Sequence, residues 1–207
     1  MAKMNSLEPV LVDELRDLID AERQLTKALP KMARAAESEE LRSAFEAHLD
    51  ETRNHVDRLN EAIRTLGGGG RGKKCKGMEG LVEEGSEQME EDAEPSVRDA
   101  MLIGAAQKVE HYEIAAYGTA RTHATLLGYD EVARLLEATL EEEKAADAKL
   151  SRIAENAVNL EAAGNDEGEE DEEEEDTRGR RSSGSRRAAA MRGNGSRGRR
   201  TSSGRKK

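Results

Sequence analysis

The stretch KVEHYEIAAY, residues 108–117, decides how this chain is read. Coiled as a helix, it sets Glu110 and Glu113 one turn apart, on the face that also carries Tyr117, Ile103 and Ala106. Two explanations compete: a charged face turned to solvent, or carboxylates turned inward to hold a metal. The choice depends on whether other helices place carboxylates in the same way.

The surrounding sequence supplies those helices. Ser6 reads as an N-cap, and the helix after it carries Leu11, Leu15, Leu18, Leu25 and Leu29 on one side until Pro30 kinks it. A second helix starts after Ser38 and runs through Leu41, Phe45, Leu59 and Leu66 to the stop signal GGGG at 67–70. A third begins at Ser96, with Asp99 completing a capping-box arrangement, and ends near Gly128. A fourth starts at Asp130 and carries Val132, Leu136, Leu140, Leu150 and Ala154.

The loops within each helix pair are short, whereas residues 67–95 form a long connection able to hold only a short helix interrupted by glycines. Two helical hairpins joined by one long crossover is the connectivity of a ferritin-like four-helix bundle, and the expected fold class is all-α. The bundle is assigned to residues 1–160 and a disordered tail to residues 161–207, where apolar periodicity stops.

Charge is segregated along the chain. The formal net charge is −11, yet residues 166–176 hold ten carboxylates and residues 178–207 hold twelve Arg or Lys with no acid, which leaves −13 on residues 1–165. The basic block, rich in Arg, Gly and Ser, suits weak, salt-sensitive contact with nucleic-acid phosphates, or it is masked by the acidic block before it. It contains no aromatic residue, so base stacking is excluded. No apolar run is long enough for a membrane span and the N-terminus lacks a secretory core, so a cytoplasmic protein is expected. The single cysteine, Cys75, excludes an internal disulfide; three nearby lysines would lower its pKa, although the simpler reading is a loop thiol without a chemical role.

The carboxylate pattern recurs on the other helices. Glu22 sits within about 40° of the leucine row of the first helix, and Glu143 sits in the row of the fourth with Asp147 one turn on. On the second helix His48, Thr52 and His55 fall on the inner face, with Glu51 at its border. Buried carboxylates are costly without a counter-charge, a hydrogen-bond network or a metal. Carboxylates with one or two imidazoles suit iron or manganese better than zinc. The two hairpins look like variants of one unit, with Glu51 followed by His55 and Glu143 by Asp147 four residues on. The common di-iron spacing Glu-x-x-His is not kept, because Asn54 and Ala146 occupy the third positions. The alternative for His48 and His55 is a pair of helix histidines bonded to neighbouring acids; Tyr112 and Tyr117 read as core or interface packing rather than redox relays.

The segments DAERQLTKALPKMARAA, FEAHLDETRNHVDRL, RGKKCKGMEGL, AAQKVEHYEIAAYGT, LLGYDEVARLL and TLEEEKAADAKL, in that order, resemble the bacterial YciE/YciF stress-protein family of the ferritin-like superfamily, over residues 7–157. The resemblance implies a ferritin-like bundle, a homodimer, a di-iron or di-manganese centre and a role in stress response. Carried onto this sequence, the metal-binding carboxylates are Glu22, Glu51, Glu110 and Glu143, joined by His55, Glu113 and Asp147. Glu51 and Glu110 would clamp or bridge two ions that Glu22 and Glu143 cap, in chemistry directed at oxygen or peroxide. The competing expectation is a non-enzymatic dimeric scaffold that acts through its basic tail.

Overall fold

A computed structural model describes residues 4–68 and 73–164; of the assigned tail, residues 161–164 are helical, and residues 165–207, including both charged blocks, lie outside the described residues. The helices are α1 (Leu7–Ala35), α2 (Glu39–Thr65), α3 (Lys76–Glu90), α4 (Pro95–Leu126) and α5 (Asp130–Ile153), the last continued by a π-helical turn at Ala154–Val158. Helices α1 and α2 form one hairpin and α4 and α5 the other. Contacts of α1 with α4 and of α2 with α5 close the four-helix bundle, and α3 lies in the crossover against α1 and α4. Among the described residues no helix is long and apolar enough to cross a membrane.

The core divides in two. Leu25, Leu29, Met32, Leu41, Phe45, Leu102, Ile103, Leu150 and Ile153 fill the end of the bundle at the α1–α2 turn. Leu11, Leu15, Leu18, Leu59, Ile63, Tyr117, Val132, Leu136 and Leu140 fill the end at the α4–α5 turn. Each fully buried leucine or isoleucine contributes about 1.5–3 kcal/mol, so the two apolar ends dominate the stability of the bundle. Every one of the four helices crosses from one cluster to the other at a polar residue: α1 at Glu22, α2 between His48 and His55, α4 at Glu110 and Glu113, and α5 at Glu143. These residues form a buried polar waist.

Local structure departs from the sequence reading in three places. Helix α1 continues five residues beyond Pro30, with Met32 and Ala33 buried, because burial on its far side outweighs the lost hydrogen bond. Ser96 is not the N-cap: Glu94 takes that position, Pro95 the first helical one, and Asp99 is buried. Asp99 instead accepts hydrogen bonds from the backbone N–H groups of Glu37 at 3.0 Å and Ser38 at 2.7 Å, which ties the α1–α2 turn to the second hairpin. In the crossover, α3 runs through Gly77, Gly80 and Gly85 as one helix of 15 residues. The glycine at 77 serves close approach, since a Cβ there would lie 2.8 Å from the Tyr112 ring.

Candidate metal centre

The waist is built from side chains that helical spacing aims inward. Glu22, His55, Glu113 and Glu143 are fully buried, and His48 and Glu110 are 7% and 3% exposed. Two groups of ligand atoms each fall within 4.8 Å of one another: His48, Glu110, Glu113 and Glu143 in one, and Glu22, His55 and Glu143 in the other. Glu143 belongs to both. Each group is compact enough to surround one cation.

The imidazoles are held by acids outside the waist. His48 Nδ1 is 3.2 Å from Glu51 Oε2, and its Nε2 is 3.4 Å from Glu110 Oε1 and 3.6 Å from Glu143 Oε2. His55 Nε2 is 2.8 Å from Glu142 Oε2, and its Nδ1 lies 3.0 Å from Glu143 Oε1 and 3.4 Å from Glu22 Oε1. Glu142 is in turn gripped by both terminal nitrogens of Arg58. One ring nitrogen of each histidine thus rests on an outer carboxylate while the other faces the inner acids. Outer carboxylates hold metal-bound imidazoles in this way, fixing the tautomer and the ring orientation.

The inner atoms lack partners of their own. Both oxygens of Glu113 and Glu143, one oxygen each of Glu22 and Glu110, His48 Nε2 and His55 Nδ1 are buried without a well-aligned hydrogen bond. Native interiors rarely leave one such group unsatisfied, and here the orphans converge from four helices. Burial pushes the Glu110 and Glu113 carboxyls well above the usual range and raises Glu22; neighbouring acids add to the rise, against which the histidines pull Glu22 and Glu110 back. Burial lowers the His48 imidazole, but Glu110, Glu51 and Glu143 outweigh it and raise the group to about 9. His55 is likewise lowered by burial, then raised to about 10 by Glu143 and Glu22. An oxygen-rich donor set with two neutral-capable imidazoles fits divalent iron or manganese, whose charge would satisfy the converging oxygens.

Glu51 and Asp147 stand apart from both groups. The Glu51 side chain is 46% exposed and reaches His48, and burial does not prevent that imidazole from holding its carboxyl below the usual range. Asp147 is 23% exposed and accepts a hydrogen bond from Gln107 at 3.1 Å, with His111 alongside at 3.5 Å. The signals at those sites were the α2 face-border position of Glu51, the place of Asp147 one turn beyond Glu143, and the family resemblance. Sequence reading placed His48 on the inner face without choosing it as a ligand, and it passed over Glu142 and Arg58, which lie on the outer side of the α2–α5 contact.

The tyrosines and the cysteine do more than pack. Tyr117 is fully buried and donates its hydroxyl to Glu22 Oε1. Tyr112 donates to Asp17 Oδ2 at 2.9 Å, and its oxygen is 2.9 Å from Cys75 Sγ. Cys75 is buried at the start of α3, where its sulfur accepts from Met78 N. Burial pushes the thiol pKa up, opposite to the effect expected of the nearby lysines, because Lys73 and Lys74 pair with Asp13 and Glu79 instead.

Fold and waist together define an all-α ferritin-like protein. The chain belongs to the family described as a domain of unknown function (DUF892), which matches residues 6–163, and with it to the YciE/YciF group. It is 49% identical over 160 residues to the protein YciF of Escherichia coli K12, covering 77% of this chain and 96% of that one. The crystal structure of that E. coli stress protein superposes with a TM-score of 0.73 at 50% identity, over 75% of this chain and 99% of the relative. A structure from Rhodopseudomonas palustris, described as a putative structural protein, gives 0.70 at 40% identity over 73% and 98%. Ferritin-like, diiron-carboxylate proteins from Bacillus anthracis share the fold, with a TM-score of 0.57 at 20% identity over 72% and 99%.

Proposed function

We propose that the chain is a ferritin-like stress-response protein whose waist holds two iron or manganese ions and reacts with oxygen or peroxide. The observation that carries this reading is the convergence of orphaned oxygens and imidazole nitrogens from four helices on one buried volume. His48, Glu110, Glu113 and Glu143 would hold one ion, and Glu22, His55 and Glu143 the other. Glu51 and Asp147, named as ligands from sequence, would act from the rim, Glu51 through His48. When bound, two such ions supply electrons to an oxidant. The chain's own part is to exclude water with its two apolar ends, to keep the imidazole protons on Glu51 and Glu142, and to hold the Tyr117 hydroxyl proton against Glu22.

The same reading treats residues 1–160 as the working domain, 161–207 as a separate tail, and the chain as a cytoplasmic homodimer. The E. coli relative is described as a stress protein, which supports the stress role. The test is metal analysis by mass spectrometry on untagged chain purified without chelator, followed by anaerobic loading with ferrous iron. About two ions per chain are expected. No metal above background after loading overturns the proposal and favours the scaffold reading, in which the twelve cations of residues 178–207 bind nucleic acid; removing those residues would then abolish a salt-sensitive association with DNA.

A further inference from the structure

A cavity of about 210 Å³ opens beside the waist between α2 and α5. Its walls are made of small residues at helical spacing, Ala44 and Ala47 on α2 facing Ala145 and Ala146 on α5, with Phe45 and Leu150 deeper in. Ala44 is buried and Ala146 half-buried, whereas Ala47 and Ala145 are exposed, so the cavity opens to solvent past the last two and larger side chains at the four positions would narrow it. At its inner end lie His48 and Glu110, both more than nine-tenths buried, with His48 Nε2 and Glu110 Oε2 lacking hydrogen-bond partners.

The charged groups along the cavity are not equivalent. Its two outer acids are engaged, Glu51 with His48 and Glu142 with His55 and Arg58. Its two cations, Lys149 and Arg152, follow Ala145 along the same face of α5 and pair with no acid among the described residues. Lys149 is half-buried and Arg152 is exposed, as suits groups at a mouth. In a segment of formal charge −13, these two cations stand at the entrance to a largely apolar cavity, where they would attract an anion. The volume lies below that of sites for drug-sized molecules, which points to a small metabolite.

We infer that this cavity is a binding site for a small amphipathic anion, an aliphatic carboxylate whose headgroup rests on Lys149 and Arg152 and whose chain lies between the alanine walls, directed at His48 and Glu110. The inference deepens the proposed function by giving the waist an organic ligand, but binding through these residues does not require the metals. The acidic end of the cavity disfavours the opposite orientation, with the carboxylate inward.

The experiment is calorimetric titration of the full chain with octanoate, with acetate and octylamine as controls, run on metal-free protein and on protein loaded with ferrous iron. Octanoate should bind the metal-free chain at least tenfold more tightly than acetate, and octylamine should show no binding. The double variant Lys149→Glu/Arg152→Glu should weaken octanoate at least tenfold, and Ala145→Leu should abolish it; both variants should melt within a few degrees of the parent chain, which separates lost binding from lost fold. Octanoate affinity unaffected by either change, equal affinity for acetate, or no octanoate heat in either form of the protein overturns the inference. Octanoate binding to a chain that never takes up metal would leave this site standing while removing the two-metal reading.

Discussion

The two hairpins contribute unequally to the waist. The α1–α2 hairpin supplies one buried carboxylate, Glu22, and two imidazoles, whereas the α4–α5 hairpin supplies three buried carboxylates, Glu110, Glu113 and Glu143, and no imidazole. The sequence suggests near-symmetry, with Glu51 answering Glu143 and His55 answering Asp147, but in space Glu51 and Asp147 face outward. The hairpins are complementary in charge rather than equivalent: one brings groups that can be cationic, the other brings an excess of anions. Without a metal the mismatch is met by protons; with one, the metal charge takes their place.

The largest effect expected from this asymmetry is at its centre. Because Glu143 belongs to both ligand groups, Glu143→Ala should remove all bound metal, while Glu51→Ala, at the rim of the weaker hairpin, should retain most of it. Metal content of the two variants by mass spectrometry decides the matter, and equal losses would restore the symmetric picture. Next comes the outer support of the first hairpin. Glu142→Ala frees the His55 ring and leaves Arg58 unpaired, and metal affinity should fall about 10–100-fold by competition with a chelator. An unchanged affinity would mean that the ring is held by packing alone.

Asp99 joins the hairpins at the end of the bundle away from the α4–α5 turn. Asp99→Ala strips the partner from two backbone N–H groups at the α1–α2 turn and should cost about 1–3 kcal/mol in chemical denaturation, with metal content preserved. A loss of metal equal to that of Glu143→Ala would show that the turn and the waist are one unit.

The smallest effect is one of pH, and its sign is diagnostic. In the metal-free chain His48 and His55 are raised to about 9 and about 10, so their contribution to stability is complete below the unfolded value near 6.5 and is lost as pH rises through 9 and 10. The raised carboxyls of Glu22, Glu110 and Glu113 act in the same direction, while Glu51 and Glu142, held below the usual range, lose their contribution only in acid. Thermal midpoints of metal-free protein should therefore fall from about pH 6.5 to pH 10. Metal-loaded protein, whose ligands must be deprotonated, should hold or gain stability between pH 6.5 and pH 9. Parallel pH profiles for the two forms would argue that the metal does not occupy the waist.

Legibility varied by helix for physical reasons. On α1 and α5 the apolar rows are regular, and the interruptions at Glu22 and Glu143 could be read directly as inward acids. Helix α4 is covered by α5, α1 and α3 and has no single apolar side, so only the local register of Glu110, Glu113 and Tyr117 pointed inward. Helix α3 runs longer than its glycines suggest, because the close approach of Tyr112 at Gly77 overrides the helix penalty that glycine carries. Asp99 offered a local cap that competed with a distant one, and the distant backbone groups prevailed because the turn they form is part-buried.

By itself the sequence determined the helices, the pairing into two hairpins with a long crossover, and which helix faces carry acids into the bundle, since these follow from local periodicity and chain connectivity; the family followed from the resemblance of six sequence blocks. Only the tertiary structure decided which acids meet, that Glu143 is shared, that His48 joins the inner set, and that Glu142 and Arg58 brace His55. Those outcomes depend on how four helices rotate about their axes and cross. A turn of one helix by a fraction of a residue moves a border position such as Glu51 from the interior to the rim, and no periodicity within a single helix records that choice.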